Sequence, residues 1–499
     1  MRVAPILLAA LLCAASSHSL SRHSLAAEKP NFIVINIDDL GYADIGPYGA
    51  KNATPNLDRL ADEGLKLTSH YAAPVCSPSR AALMTGCYPK RALPIPGVLF
   101  PAAEVGLNPK ELTVAELLKE VGYATACVGK WHLGDQPEFL PTQQGFDYYY
   151  GLPYSNDMGP PEEGAKSNFG QPVRKRKAEK DATTKKSTAK AREQRVAETG
   201  ITGTNQPPLP LVENRTVVER VRGEEQATLT RRYTEKAVGF IHDNKDKPFF
   251  LYLPHSAVHF PMYPGEDFRG RSSIGLRGDW IQEVDWSVGQ IVDAVRNAGL
   301  ESRTLILFTS DNGGPLNQEA DNHPLRGGKG STLEGGIRTC TIAWWPGKVP
   351  AGKSTRAMTS MMDVLPTLVN LAGRKVPADR KIDGVDIWPL LSSGDEAQGP
   401  RDTFYCFRGL KLEAVRSGPW KLHLKQGELY NLHDDIGEAR NVAAQHPDQV
   451  ERLERLAREM EGDLGTDGVG PGCRPLGRVK NPQPLMTMEG KVRSGFEPR

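Results

Sequence analysis

The sequence predicts an α/β fold in which helices cover both faces of a mostly parallel sheet, followed by a smaller C-terminal α+β domain with an antiparallel sheet. Two observations lead to this prediction. Short β-rich runs, beginning with Asn31–Ile37, alternate with amphipathic helical stretches through most of the chain. After about Gly373 the pattern changes to closely spaced strands followed by a helix. We therefore expect a main domain over residues 28–375 and a C-terminal domain over residues 376–499.

The elements of the main domain follow in a regular order. The run Asn31–Ile37 is apolar almost throughout, which is typical of a strand buried on both faces. Further strands are predicted at 124–128, 248–253 and 304–309, and helices at 56–63, 113–121 and 281–298. Such alternation favours a parallel sheet.

The C-terminal part has a different pattern. Antiparallel strands are predicted within 410–424 and 428–432. A helix is predicted at 445–461, because Val450, Leu453 and Leu456 share one side of it. The tail beyond Gly465 is rich in glycine and proline, and we expect it to wrap over the surface or to remain loose.

Composition gives few pointers to a partner. The 499 residues include 62 basic and 60 acidic ones, so the net charge is only +2, which excludes a global field for nucleic acid. Residues 164–203 differ, since ten basic and three acidic residues lie between Gln171 and Arg195. This segment is predicted to be a flexible insertion. It is either a solvated loop or an electrostatic guide for polyanionic substrates.

Residues 1–27 are typical of a secretory signal peptide. Arg2 supplies the positive start, and the apolar run 4–15 is too short for a membrane span. Cleavage after Ala15 and cleavage after Ala27 both fit. No later stretch reaches the roughly 18 apolar residues of a membrane span. We expect an exported, periplasmic or extracellular protein, or a lysosomal one in an animal.

Apart from Cys13 in the predicted signal peptide and Cys76, the cysteines do not form a disulfide scaffold. They are dispersed, although one or two bridges remain open in an oxidising compartment. These positions are Cys87, Cys127, Cys340, Cys406 and Cys473.

Cys76 opens a predicted helix. Pro78 suits the first turn, and residues 81–84 are good helix formers. Arg80 lies four positions on, hence on the same helical face as Cys76. The group at position 76 is thus expected at a helix N-terminus beside a guanidinium, where anions are favoured. Considered alone, residues 76–80 also fit a structural or simply reactive cysteine.

Two predicted strands are followed by residues whose side-chain oxygens could bind a cation. Asp38 and Asp39 follow the first strand, and Asp311 and Asn312 follow the strand at 304–309. Ligands collect beyond the carboxyl ends of strands in open α/β sheets. Three carboxylates and an amide suit Ca²⁺ or Mg²⁺ rather than zinc. The Asp311-Asn312-Gly313 run alone would usually be a turn, but adjacent aspartates need a cation or hydrogen-bond donors.

Basic and proton-transfer groups follow other strands. Lys130 and His132 have the i, i+2 spacing that points both side chains the same way in extended chain. They suit an anion and a proton-transfer group. His259 follows the strand at 248–253, although a lone histidine is more often simply structural. Lys329 lies in a glycine-rich loop that lets the backbone approach a ligand, or is an ordinary flexible turn.

Together these segments resemble the sequence blocks of type I sulfatases, in that family's order. The likeness spans about residues 31–461 and, with the block at 153–158, is similar to the arylsulfatase A branch, which includes N-acetylgalactosamine-6-sulfatases. It implies an alkaline-phosphatase-like fold with residues 28–375 as the catalytic domain. The similar blocks are 36–41, 76–80, 83–86, 129–134, 310–313 and 327–330.

The resemblance implies an enzyme that hydrolyses sulfate monoesters, with sulfated carbohydrate as the expected natural substrate and aryl sulfates as artificial ones. A formylglycine-generating or anaerobic sulfatase-maturating enzyme would convert Cys76 to formylglycine, whose hydrate is the family's nucleophile. The implied cofactor is Ca²⁺, with Mg²⁺ also compatible. Its implied ligands are Asp38, Asp39, Asp311, Asn312 and the group derived from Cys76.

The resemblance also implies roles for the remaining groups. Arg80 would support the hydrated aldehyde, while Lys130 and Lys329 would hold the sulfate. The family pattern selects His259 rather than His255 as the donor of a proton to the departing alcohol, with Lys329 as a second candidate. His132 would take a proton from the second hydroxyl of the hydrate.

Two other functions remain open from the sequence. One is a phosphonate monoester or phosphodiester hydrolase of the same superfamily. The other is a catalytically silent binder of sulfated glycans whose cysteine stays unmodified. The sugar, the sulfated carbon and the choice between endo and exo action are not indicated.

Overall fold

The structure, a computed structural model, describes residues 29–175 and 206–498. The predicted signal peptide and residues 176–203 of the predicted basic insertion lie outside this range, so both remain predictions. The strands are β1 (Asn31–Ile37), β2 (Leu65–Leu67), β3 (His70–Tyr71), β4 (Val105–Gly106), β5 (Ala124–Val128), β6 (Tyr148–Gly151), β7 (Leu209–Glu213), β8 (Thr216–Val221), β9 (Phe249–Pro254), β10 (Thr304–Ser310), β11 (Arg338–Thr339), β12 (Ile342–Trp344), β13 (Lys353–Thr355), β14 (Thr359–Ser360), β15 (Thr403–Arg408), β16 (Lys411–Ser417), β17 (Trp420–His423), β18 (Glu428–Asn431) and β19 (Gly477–Arg478). The helices are α1 (Pro55–Asp62), α2 (Cys76–Thr85), α3 (Pro89–Ala92), α4 (Val114–Lys119), α5 (Leu229–Asp243), α6 (Gly275–Asn297), α7 (Glu334–Ile337), α8 (Val364–Leu371), α9 (Trp388–Ser393) and α10 (Pro447–Leu464).

The main sheet has a parallel centre that is bordered on each side by an antiparallel strand. Its described strands lie in the order β13-β2-β12-β10-β1-β9-β5-β6-β7-β8. The five strands from β10 to β6 run parallel to one another. Antiparallel β12 borders β10 on one side, and antiparallel β7 borders β6 on the other. The carboxyl ends of the central strands therefore meet at one edge.

Helices cover both faces of this sheet, as the apolar character of β1 predicts. Phe32 and Val34 pack into the core that contains α2, α4 and α8. Ile33, Ile35 and Ile37 point the other way, into the core that contains α1, α5 and α6. This arrangement confirms the predicted fold class.

The C-terminal sheet is an antiparallel meander of β15, β16, β17 and β18. Leu453 and Ala457 of α10 share a core with Val415 and Leu422 of this sheet. The sequence did not indicate β15. The tail wraps over the main domain: β19 pairs with β4, and Phe496 is buried.

Neither disulfides nor membrane spans occur in the described part of the chain. Its six cysteines are all free, so the bridges that the sequence left open do not form among them. No helix within residues 29–175 and 206–498 combines the length and the apolar character needed to cross a bilayer.

Candidate active site

The four predicted oxygen ligands meet where β1 and β10 end. The two strands are parallel neighbours with Ile37 opposite Ser310, so the residues that follow them lie side by side. Asp38 and Asp39, which follow β1, and Asp311 and Asn312, which follow β10, are all fully buried. The Nδ2 of Asn312 donates to Asp39 Oδ1 at 2.8 Å, and the backbone N–H of Asp39 donates to Asp311 Oδ1 at 3.3 Å.

Helix α2 brings Cys76 to this carboxylate cluster. The helix begins at Cys76, as predicted, and its N-terminal end faces the cluster. The Cys76 thiol donates to Asp38 Oδ1 at 3.2 Å, and the Lys329 ammonium lies 3.7 Å from its sulfur. Burial raises the pKa of the Cys76 thiol well above its usual value, and the charges of Asp311 and Asp38 raise it further. The unmodified side chain is therefore a neutral thiol.

Arg80 anchors the cluster from the same helical face. Its Nε and Nη2 donate to Asp311 Oδ2 at 3.0 and 2.8 Å, and its Nη1 donates to the carbonyl of Lys130. This fully buried guanidinium thus ties together α2, the end of β10 and the loop after β5. Its predicted support of a modified Cys76 is not among these contacts and stays a prediction.

The loop after β5 delivers Lys130 and His132. The Lys130 ammonium pairs with Asp38 and lies 3.2 Å from the hydroxyl of Ser155. The sequence interpretation assumed extended backbone here, which is wrong, because His132 has φ +63° and Gly129 has φ +133°. The loop turns sharply, yet His132 stays close enough for the charges of Lys130 and Arg80 to affect it.

The ring of His132 is set up as a proton acceptor. Its Nε2 lies 2.9 Å from the carbonyl oxygen of Leu99, and a carbonyl can only accept, so this nitrogen carries the hydrogen. Burial lowers the pKa of His132 well below its usual value, and the nearby cations lower it further. Nδ1 is buried and has no hydrogen-bond partner among the described residues. His132 therefore presents a free base.

His259 and Lys329 face Asp39 from two further loops. The Nε2 of His259 is 3.6 Å from Asp39 Oδ2, and the Lys329 ammonium lies 2.7 and 2.8 Å from the two carboxylate oxygens. Burial and Lys329 lower the pKa of His259. Burial also acts against the charge of Lys329, but Asp39 outweighs it and the pKa of Lys329 rises well above its usual value. His255 instead contacts Ser287 at 3.1 Å.

Sequence reasoning missed two supporting groups. The hydroxyl of Ser155 lies between Lys130 and His259, at 3.2 Å from one and 3.4 Å from the other. Ser155 belongs to the block at 153–158, which gave the signal that could have identified it. Arg277 donates to the backbone carbonyl of Asp39 at 2.7 Å and to Asp44 at 2.6 Å, and so holds the loop after β1.

The predicted cation ligands fit a hard cation. Atoms of Asp38, Asp39, Cys76 and His259 that could ligate a metal all lie within 4.8 Å of one another, so the ring of His259 lies beside the expected ligands. Asn312 Oδ1 is buried with no partner in the described part of the chain, which leaves it available to a cation. Asp311 stays among the expected ligands, although its Oδ2 also accepts a hydrogen bond from Arg80.

The charges of the cavity also favour a divalent cation. Three carboxylates (Asp38, Asp39 and Asp311) face three cationic side chains (Arg80, Lys130 and Lys329). Burial raises the pKa of Asp38, but Lys130 and other cations outweigh it, and the pKa ends well below its usual value. Burial and Asp38 raise the pKa of Asp311 to about 6. An anionic substrate would add an unbalanced charge, which a divalent cation would offset.

These features define a class of enzyme site, namely a hydrolytic centre for an ester of a tetrahedral oxyanion. Residues 30–374 match the model of the sulfatase family. The chain is 38% identical over 419 residues to N-acetylgalactosamine-6-sulfatase of Mus musculus, covering 80% of this chain and 72% of the relative. It is 35% identical over 477 residues to human arylsulfatase A, covering 86% and 87%.

Solved structures give the same result. The structure of Ps i-CgsB in complex with k-i-k-neocarrahexaose is similar with a TM-score of 0.73 and 31% identity, covering 89% of this chain and 95% of that one. The PsFucS1 sulfatase from Pseudoalteromonas sp. has a TM-score of 0.74 and 28% identity, covering 90% and 92%. The chain belongs to the sulfatase family and is a sulfuric ester hydrolase.

Proposed function

We propose that the protein is an exported sulfatase that hydrolyses sulfate monoesters of a sulfated carbohydrate. One observation carries the proposal: Cys76 lies within a few ångströms of both Asp38 and Lys329, in a cluster of side chains of alternating charge. The names of the relatives support the substrate class, since one acts on N-acetylgalactosamine 6-sulfate and another is bound to a neocarrahexaose.

The basic side chains would bind the sulfate group. Lys130 and Lys329 approach Cys76 from two different loops, so a tetrahedral anion at this point meets a positive charge on each side. Ser155 can donate a hydrogen bond from the same wall as Lys130. Preorganised charge of this kind reduces the repulsion between sulfate oxygens and an attacking nucleophile.

Two histidines would move protons. His132 offers the free Nδ1 base and is held by the Leu99 carbonyl, so it would accept the proton of the second hydroxyl of the hydrate derived from Cys76. His259 lies beside Asp39 and Ser155. There an anionic substrate would counter the lowering effect of Lys329 on its pKa. Once protonated, it would donate to the leaving oxygen, with Lys329 as a second donor.

The side chains that would hold Ca²⁺ or Mg²⁺ are those of Asp38, Asp39, Asp311 and Asn312, with the group at position 76 and His259 beside them. A bound cation would supply Lewis-acid polarisation of a sulfate oxygen. Conversion of Cys76 to formylglycine would supply a hydrated aldehyde as the nucleophile. This conversion needs a formylglycine-generating or anaerobic sulfatase-maturating enzyme as a partner.

Export is proposed from residues 1–27, whose basic start and short apolar run are typical of a signal peptide. The periplasm or the extracellular space, or the lysosome in an animal, are the compartments that follow. The N-terminus of the mature secreted chain, determined by sequencing, tests this part. A mature protein that retains residues 1–27 would contradict it.

The experiment that tests the catalytic proposal compares the turnover of a sulfate ester with that of a phosphonate ester. The full chain, co-expressed with a maturating enzyme and supplied with Ca²⁺, is assayed on 4-nitrophenyl sulfate and on the matching phenylphosphonate ester. A larger kcat/KM for the sulfate is expected, whereas a preference for the phosphonate supports the rival hydrolase. Absence of turnover on both, with intact Cys76, supports the silent binder.

A further inference from the structure

The structure contains a cleft with a volume of about 640 Å³, here called the outer cleft. It is formed by residues 168–174, 260–262, 275–276 and 317–319. Three of these segments follow β6, β9 and β10, which are parallel strands of the central sheet. The outer cleft therefore lies at the same edge of the sheet as the active site.

The outer cleft adjoins the side of the active site where the leaving group departs. Its lining residue Phe260 directly follows His259. On the opposite side, the segment around Leu316 packs on the loop of Lys329. The Lys329 backbone N–H donates to the carbonyl of Gly314 at 3.2 Å, and a methyl group on Gly328 would lie 3.2 Å from Leu316. A substituent on the leaving oxygen would thus extend between these two walls.

The lining of the outer cleft suits neutral hydroxyl groups. It carries amide side chains, including Asn168, Gln171 and Gln318, which both donate and accept hydrogen bonds. Gln318 Oε1 is buried and has no partner within residues 29–175 and 206–498. Among the described residues of the lining there is one cation, Arg174, and one anion, Glu319.

Three exposed apolar residues are sequence neighbours of residues that line the outer cleft. Val173, Ile274 and Leu316 are 53%, 43% and 61% exposed, and each directly precedes a lining residue of the cleft. They are three of the five large hydrophobic side chains that are exposed in the described part of the chain. Aliphatic side chains next to amides match a sugar, whose ring faces are apolar and whose edges carry hydroxyls.

We propose that the outer cleft binds the sugar units attached to the sulfated residue, so that the enzyme prefers sulfated oligosaccharides to short substrates. This inference rests on the proposed function. The volume falls in the range of ordinary ligand pockets, roughly 300–1,000 Å³. The residues that would set the length preference are Leu316, beside the lining, and Gln318 within it.

The test measures kcat/KM on substrates of increasing length. The probes are 4-nitrophenyl sulfate and the di-, tetra- and hexasaccharides of two series, one ending in N-acetylgalactosamine 6-sulfate and one derived from carrageenan. Leu316→Ser with Gln318→Ala is compared with the wild type. The matched control is Val469→Ser, since Val469 is 64% exposed but lies in the C-terminal tail.

The wild type should show kcat/KM rising with length in at least one series. The double variant should lose about tenfold or more in the ratio of hexasaccharide to nitrophenyl turnover, and the control should keep that ratio. A wild-type rate that is flat with length, turnover of nitrophenyl sulfate alone, or equal losses on long and short substrates would overturn the inference. Failure of the wild type on nitrophenyl sulfate would instead contradict the proposed function.

Discussion

Replacing Lys421 by methionine should destabilise the protein strongly, because it leaves two carboxylates buried without their shared cation. Lys421, on β17 of the C-terminal sheet, lies 2.8 Å from Glu334 Oε1 and 3.0 Å from Glu438 Oε1. All three side chains are fully buried. Glu334 begins α7 in the main domain, so this cluster joins the two parts of the protein.

The size of the loss in stability depends on the ion-pair partners that the two carboxylates keep after Lys421 is replaced. Removing one partner of a buried ion pair costs about 3–5 kcal/mol. Glu334 keeps Arg338 at 3.1 Å, and Glu438 keeps His423 at 2.7 Å, so we expect a loss near the lower end, about 3 kcal/mol. The matched control is Lys119→Met. Its pair with Asp147 is half exposed, and such pairs contribute about 0–1 kcal/mol.

The effect should also depend on pH, with a defined sign. Burial alone would raise the pKa of Glu334, but Lys421 and Arg338 outweigh it and lower the pKa from 4.5 to about 2. A carboxyl whose pKa is lowered in the folded state stabilises the protein at pH values above its pKa in the unfolded state. This stabilisation is lost as the pH falls through its pKa in the folded state. The difference between wild type and Lys421→Met should therefore be largest at neutral pH and shrink between pH 4.5 and pH 2.

The assay is urea unfolding followed by tryptophan fluorescence and circular dichroism, at neutral pH and at several values below 4.5. The reasoning is refuted if Lys421→Met and Lys119→Met unfold at the same urea concentration. It is also refuted if the difference between Lys421→Met and the wild type stays constant as the pH falls. Coincidence of the two probes checks that one transition is measured.

Three further predictions concern the active site. Cys76→Ser should keep the far-ultraviolet circular dichroism spectrum of the wild type but lose turnover of 4-nitrophenyl sulfate. The control, Cys473→Ser in the tail, should keep both the spectrum and the turnover. Wild-type turnover in Cys76→Ser would contradict the proposed role of Cys76. Gly129→Ala should abolish activity, since its Cβ would lie 1.9 Å from the carbonyl oxygen of Pro254. The control, Gly122→Ala, is also at positive φ but faces open space, so it should keep activity. Similar activities of the two variants would show that the loop after β5 tolerates displacement. Treatment with EDTA should remove activity and Ca²⁺ or Mg²⁺ should restore it, and full activity after complete chelation would exclude the cation.

Much of the fold could be predicted because pattern and structure agree along the central strands. The apolar run of β1 needs both faces covered, and both faces are covered. The ends of elements were less predictable. The helix predicted at 113–121 runs from Val114 to Lys119, because Thr113 caps it through a reciprocal pair with Glu116.

The start of α6 shows why part of the site could not be predicted. The helix was expected from residue 281 but begins at Gly275, in a stretch whose two glycines disfavour a helix. Tertiary contacts stabilise this first part: Arg277 bonds Asp44, and Asp279 accepts the backbone N–H groups of Gly270 and Ser272. The same Arg277 holds the Asp39 carbonyl, so the unpredicted turn supports the site.

The site itself was predictable to the level of residue type. Strand ends, the helix start and the glycine-rich loop suggested the polar residues that the structure brings together. Their partners were not predictable, since the hydrogen bond from His132 to the Leu99 carbonyl and the contact of Ser155 with Lys130 depend on loop geometry. The joining of the C-terminal sheet to α7 by Lys421 likewise has no signal in the local sequence.

The most direct test of the account measures two quantities on the same preparations. Protein is produced with graded amounts of a maturating enzyme, and mass spectrometry gives the fraction of chains in which the thiol of Cys76 has become an aldehyde. Turnover of 4-nitrophenyl sulfate should rise in proportion to that fraction and vanish where the thiol is intact. Undiminished turnover in chains that carry only the thiol would contradict the account.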